Sequence, residues 1–163
     1  MLDTIQHCVL KGEYRFIQCD GKSVSMKYYG ACKCSTCRTE FETDLPLSEF
    51  QPRVCDCQYC QRTLGQLLSH PSTQITVFAD IASQLTVNKN GETSARYYHC
   101  KNCNDFICVG IKTDQGLRGV LNSNTLTDRE ALGEPIPVQP RLLSDQEKVD
   151  RWKTIWSDLA FVS

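Results

Sequence analysis

The sequence predicts a mainly β protein built around metal, closed by one C-terminal helix. Three observations carry this. Eleven cysteines occur in 163 residues, most of them in close-set groups. Short β-rich stretches separated by turn dipeptides run as far as Lys112. Beyond a proline-rich connection, the apolar spacing changes to that of a helix.

Taken in order, the expected strands are Glu13 to Cys19, Ser23 to Tyr29 and Thr36 to Glu42, each β-rich or alternating. Gln74 to Phe78, Gln84 to Val87, Glu92 to His99 and Phe106 to Lys112 follow. Asp20-Gly21 and Asn90-Gly91 are hairpin-type dipeptides. Residues 61–69 suit a short helical turn. Pro135, Pro137 and Pro140 stiffen an extended connection. Ser144 then opens a capping box with Glu147. Val149, Trp152, Ile155, Trp156 and Leu159 recur on one helical face, so an amphipathic helix is expected over about 144–160, docked on the strands.

Length and composition limit the function. The chain fits one domain on the usual length prior. Apolar residues make up 40% and charged residues 23%, the mix of a soluble globular protein. The net charge of −1 lacks the basic excess of a nucleic-acid binder. No apolar run approaches the ~18 residues of a membrane span. The start carries no apolar stretch behind a basic segment, so the expected location is cytoplasmic, without a signal peptide. An odd cysteine count in an unsignalled chain favours metal binding over a disulfide scaffold.

The pattern C-x-C-x2-C occurs twice, as Cys32-Cys34-Cys37 and Cys55-Cys57-Cys60, and Cys100 and Cys103 form a CxxC pair. On an extended segment C-x-C directs both sulfurs to one face, and a turn does the same for CxxC. Zinc takes four such thiolates tetrahedrally in structural sites and three in open, catalytic ones. Spacing leaves two partitions. Cys32, Cys34, Cys100 and Cys103 can close one site while Cys55, Cys57 and Cys60 leave the other open. Alternatively, Cys37 joins the latter three and both sites are closed.

At these residues the sequence resembles the glutathione-dependent formaldehyde-activating enzyme family, which includes centromere protein V. Gly30-Ala31-Cys32-Lys33-Cys34-Ser35-Thr36-Cys37-Arg38 is similar to the family's opening G-x-C-x-C-G-x-V-R. Cys55-Asp56-Cys57-Gln58-Tyr59-Cys60-Gln61 through Gly65 matches its second block, and Tyr97-Tyr98-His99-Cys100-Lys101-Asn102-Cys103 its third. The likeness covers roughly residues 29–125. Cys37 departs from the usual apolar residue, and Ser35 and Asn104 stand where glycine is usual.

The resemblance implies coiled β-sheets of the beta-tent type and two zinc ions per chain. It implies a structural zinc on Cys32, Cys34, Cys100 and Cys103, and a catalytic zinc on Cys55, Cys57 and Cys60, open to glutathione or water. The implied activity is formation of S-hydroxymethylglutathione from formaldehyde and glutathione, a carbon–sulfur lyase reaction in reverse. Residues 1–163 then form a single zinc-binding domain. Its core spans 29–125, with a β extension over 1–28 and a C-terminal extension, both placed to reshape the mouth of the site.

Further candidates surround the second cluster. Tyr59 lines a pocket or packs, Arg62 holds a substrate carboxylate or is solvated, and His70 is a proton carrier, a fourth ligand or a loop residue. His99 adjoins Cys100 and suits a supporting or surface role. Cys8 and Cys19 read as unassigned thiols and Cys108 as core. The leading expectation is an enzyme taking a small-molecule substrate, glutathione among the candidates, without nucleic-acid or membrane partners. The alternatives are the same site acting as Lewis acid on another carbonyl compound, for isomerase or lyase chemistry, and a zinc-stabilised binding module.

Overall fold

The structure is a computed structural model that describes residues 25–163. The strand expected at Glu13 to Cys19, the Asp20-Gly21 turn, His7, Cys8 and Cys19 lie outside the described residues. Two hairpins present the cysteine turns. β1 (Met26–Ala31) and β2 (Arg38–Thr43) are antiparallel, with Tyr28 opposite Phe41, and their connection carries Cys32, Cys34 and Cys37. β3 (Arg53–Cys55) runs into α1 (Gln58–Thr63), then β4 (Leu67–Leu68) and β5 (Gln74–Phe78). α2 (Ile81–Gln84) is a single turn capped by the Asp80 carboxylate, and leads into β6 (Leu85–Asn88). β7 (Arg96–Cys100) and β8 (Phe106–Thr113) form the second hairpin, whose turn carries Cys103. β9 (Gly116–Asn122), β10 (Ile136–Val138), α3 (Asp145–Ile155) and β11 (Ser157–Val162) complete the order.

The mainly β expectation holds, and the sheets are joined edge to edge into one mixed eleven-stranded network. β9 is its junction. It pairs along its length with β8, and at its ends with β11 and β4. β11 lies parallel to β5 and antiparallel to β9, between them. β5 buries Ile75 and Val77 on one face, the period-two pattern of a strand with one covered face. β8 is buried without interruption from Phe106 to Ile111, as expected of a strand covered on both faces.

Two apolar clusters fill the fold. One gathers Phe41, Ile75, Val77, Ile107, Cys108, Leu121 and Leu126. The other joins Tyr97, Val109, Ile111 and Val120 to Trp156. Val149, Trp152 and Ile155 of α3 pack on this second cluster, so the helix docks on its own strands.

One expectation is corrected here. The helix does not run over 144–160. Its capping box forms as read, with Ser144 Oγ accepting from the Glu147 amide and Glu147 Oε2 from the Ser144 amide. It ends at Ile155, because Trp156 takes extended dihedrals. Ser157 and Leu159 then bury on one strand face. The Ser157 hydroxyl meets Thr73 Oγ1 at 2.6 Å and accepts from the His70 amide, which fixes the start of β11 beside β5. The spacing Ile155, Trp156, Leu159 satisfies a helix locally. Partners on β5 and β9 outweigh it.

The sequence also leaves β3, β4, β9 and β10 unassigned. β4 has two residues, and β3 and β10 have three each, too few to show a period. The extended, proline-bearing connection is where β10 lies, paired parallel with β3.

Candidate metal centres and the adjoining cavity

Cys32, Cys34, Cys100 and Cys103 bring four sulfurs within 4.8 Å of one another. Each pair comes from one hairpin turn. In the first, the Ser35 amide donates to Cys32 O and the Cys37 amide to Cys32 Sγ. In the second, the Asn104 amide donates to Cys100 O. Ser35 and Asn104 both have positive φ, of 63°. These are the two positions flagged in the sequence as standing where glycine is usual, so both turns keep the left-handed bend without it. Asp105 ties the turns together. Its Oδ2 accepts from the Lys33 amide at 2.7 Å and its Oδ1 lies 3.5 Å from Lys33 Nζ.

The donor set fits a tetrahedral ion. Four sulfurs at ~2.3 Å from zinc stand roughly 3.8 Å apart. Cys32 and Cys34 sulfurs are 3.5 Å apart, and Cys34 and Cys100 sulfurs 3.6 Å, far beyond a disulfide bond. All nine described cysteines are free. Hydrogen bonding from Thr36 holds the Cys34 thiol down at about 5, while burial raises Cys32 to about 12 and Cys100 to about 11. Ion binding there must therefore displace protons.

Cys55, Cys57 and Cys60 form the second group, also within 4.8 Å of one another. Cys55 ends β3, Cys57 caps α1, and Cys60 lies one turn along that helix. The Cys57 amide donates to Cys55 Sγ and the Cys60 amide to Cys57 Sγ. A hydrogen bond from Cys60 draws the Cys55 thiol down to about 6, and that same bond, with burial, pushes Cys60 upward. No fourth cysteine joins them among the described residues. Cys37 is fully buried against the other group, its Sγ 3.8 Å from Gln84 O. Cys37 therefore does not stand beside the second group, where the alternative partition needed it.

The three cysteines lie in the wall of a cavity of about 400 Å³. Leu67, Val109 and Val120 of the sheet provide apolar wall, and α3 adds Trp152, Ile155 and Trp156. The two indoles stack with centroids 4.6 Å apart. Arg53, Arg141, Lys148 and Arg151 bring positive charge to the lining, against Glu92 and Asp145. Arg53 and Cys55 stand two apart on β3 and so share its inner face, while Val54 is exposed on the other. Burial, and then the Arg151 charge, draw the Arg53 guanidinium below its ordinary range.

Tyr59, Arg62 and His70 are not in this cavity wall. Tyr59 packs edge-on against Tyr97, His99 and Phe106, and burial raises its phenol. Its hydroxyl donates to His99 Nε2, and His99 Nδ1 donates to Asn104 O at 3.0 Å. His99 thus has a supporting role, linking the helix between Cys57 and Cys60 to the turn after Cys100. Arg62 is exposed. His70 Nδ1 engages Ser72 and its ring meets Phe50. Arg53, Arg151 and the indoles were missed as site residues. Arg53 had one usable signal, its place two residues before Cys55.

The fold is mainly β and carries two cysteine groups that could each hold a metal ion, one of them opening on a cavity. The glutathione-dependent formaldehyde-activating enzyme family matches residues 27–138, and the chain belongs to that family. The match ends at β10, before α3 and β11. A Rhodobacter sphaeroides protein of known crystal structure is similar, at 20% identity and a TM-score of 0.47, covering 82% of this chain and 99% of that one. No curated protein matches. No helix among the described residues is long and apolar enough to cross a membrane.

Proposed function

We propose that the chain is a zinc-dependent enzyme of the carbon–sulfur lyase type, joining or cleaving a thiol–carbonyl adduct at Cys55, Cys57 and Cys60. The supporting observation is that three mutually close sulfurs, with no fourth beside them among the described residues, line a cavity large enough for a metabolite. Family membership supports glutathione and formaldehyde as candidate reactants. Cys32, Cys34, Cys100 and Cys103 would hold a structural ion that ties two hairpins of the same domain.

Zinc held by Cys55, Cys57 and Cys60 would supply a Lewis-acidic position able to lower the pKa of a thiol or polarise a carbonyl. The chain does the rest. The amides of Cys57 and Cys60 hold two of the sulfurs in place. In the addition direction the thiol sulfur bonds to the carbonyl carbon, the C=O π pair moves to oxygen, and the thiol proton ends on that oxygen. Cleavage reverses each of these.

The test is exchange between formaldehyde and its glutathione adduct, followed by NMR beside the Cys57→Ala variant. Acceleration lost in that variant is expected. Equal rates with and without protein, at measured full metal loading, would sink the reading. The apolar wall added by α3 favours a second reading, in which the same site acts on a larger carbonyl compound.

A further inference from the structure

We infer that the cavity beside Cys55, Cys57 and Cys60 takes a monocarboxylate with an aromatic or bulky apolar body, its carboxylate on Arg53 and Arg151 and its body against the α3 indoles. The inference rests on the proposed chemistry for its location and goes beyond it in naming the substrate class.

Charge pairing carries the first half. Of the four basic residues in the lining, Arg141 is paired with Asp56 at 3.0 Å and Lys148 with Asp145 at 3.5 Å. Arg53 and Arg151 have no ion pair among the described residues, although each lies close enough to feel the other's charge. Two like charges lining one cavity, neither paired with a carboxylate among the described residues, favour an anion between them. A guanidinium presents parallel N–H groups that fit a carboxylate in bidentate fashion.

The Arg53 side chain is also held in place. Its Nη2 engages Ser69 Oγ, and that hydroxyl donates to Ile155 O, the last residue of α3, at 2.9 Å. The helix that brings Arg151 thus also sets the direction of Arg53. Because Arg53 and Cys55 share one face of β3, about 7 Å apart along the strand, a carboxylate on Arg53 leaves the neighbouring part of its carrier over the cysteines.

The second half comes from the walls. Trp152, Trp156 and Ile155 present flat apolar surface, and Leu142 and Leu143 extend it. Glutathione has peptide groups and no aromatic body, and would set polar groups against this apolar wall. All these apolar residues, and Arg151, come from the segment after the family match ends at residue 138. Arg53, in contrast, lies within the matched segment, so the proposed carboxylate grip joins the family core to the C-terminal helix.

The test is calorimetric titration of the full-length, metal-analysed protein with 3-phenylpropionate, its uncharged amide, and glutathione. The acid should bind about tenfold or more tighter than the amide and tighter than glutathione. Arg53→Gln and Arg151→Gln should each shrink the acid-to-amide ratio, with metal content unchanged in Arg151→Gln. Trp152→Ala should weaken acid and amide by the same factor. Equal binding of acid and amide, a ratio untouched by Arg151→Gln, or no saturable binding of the acid would each overturn the inference. Titration needs no turnover, so the two proposals separate. Acid-selective binding without adduct exchange leaves the pocket standing and removes the reaction. Exchange without acid selectivity does the opposite.

Discussion

Single residues in this fold are decided by backbone approach as much as by side-chain chemistry. A Cβ on Gly30 would stand 2.0 Å from the carbonyl oxygen of Thr125, a backbone atom next to Leu126, which bridges to Gly30 itself. Gly30→Ala should cost at least about 2 kcal/mol and loosen the turn that carries Cys32 and Cys34; denaturant unfolding reads it. Leu64 is the reverse case. It ends α1 at a φ of 52°, with 76% of its surface exposed. Left-handed geometry costs a branched residue ~1–2 kcal/mol, so Leu64→Gly should stabilise by up to about 1 kcal/mol after glycine's entropic cost. At this scale the cysteine groupings were legible in the sequence, because thiol spacing is a local property. The positions of Tyr59, Arg62 and His70 were not. Each depends on which way α1 or a turn rotates its side chain; Tyr59 is held by Tyr97 and Phe106 and His70 by Phe50, while Arg62 falls on the exposed side of α1.

Elements were readable where their signals were local. The Ser144–Glu147 capping box occurs as read, and α3 begins after it. Ser144→Ala should cost ~1 kcal/mol and reduce ligand affinity in the cavity, since α3 supplies one of its walls. Thermal melts and titration check the two effects together. The same cap predicts a pH dependence. Hydrogen bonds from Ser144 hold the Glu147 carboxyl below its ordinary 4.5. A depressed carboxyl stabilises the fold above the unfolded value, and the benefit fades as pH falls through the folded one. The α3 contribution should therefore be complete at neutral pH and decline on acidification below about 4.5, and Glu147→Gln should flatten that part of a stability-against-pH curve. The end of the helix was illegible. Its last apolar residues serve both a helical and a strand pattern, and only β5 and β9, far back in the chain, decide between them.

At the scale of the molecule, the proposed function predicts that the four-cysteine and three-cysteine groups lose metal separately. Under limiting chelator, the three-cysteine site is expected to empty first with far-UV circular dichroism retained. Emptying the four-cysteine site should then unfold the chain, because it joins hairpins whose sulfurs are 66 residues apart. Cys57→Ala should mimic the first loss and Cys100→Ala the second. Simultaneous loss of metal and ellipticity would contradict the division of labour. The general architecture was readable from the two repeated cysteine patterns and the alternating stretches. The eleven-stranded connectivity was not, because two- and three-residue strands carry no pattern of their own.

The insertion of β11 between β5 and β9 has a consequence for biosynthesis. β5 leaves the ribosome roughly 80 residues before the strand that will cover its edge, which at ~5–20 residues per second is about 4–16 s. During that interval the open edge of Ile75 and Val77 is the nascent chain's point of exposure to unwanted strand pairing. Slow translation of the segment between them, or a shortage of chaperones, should therefore lower soluble yield without changing the stability of the molecules that complete the sheet.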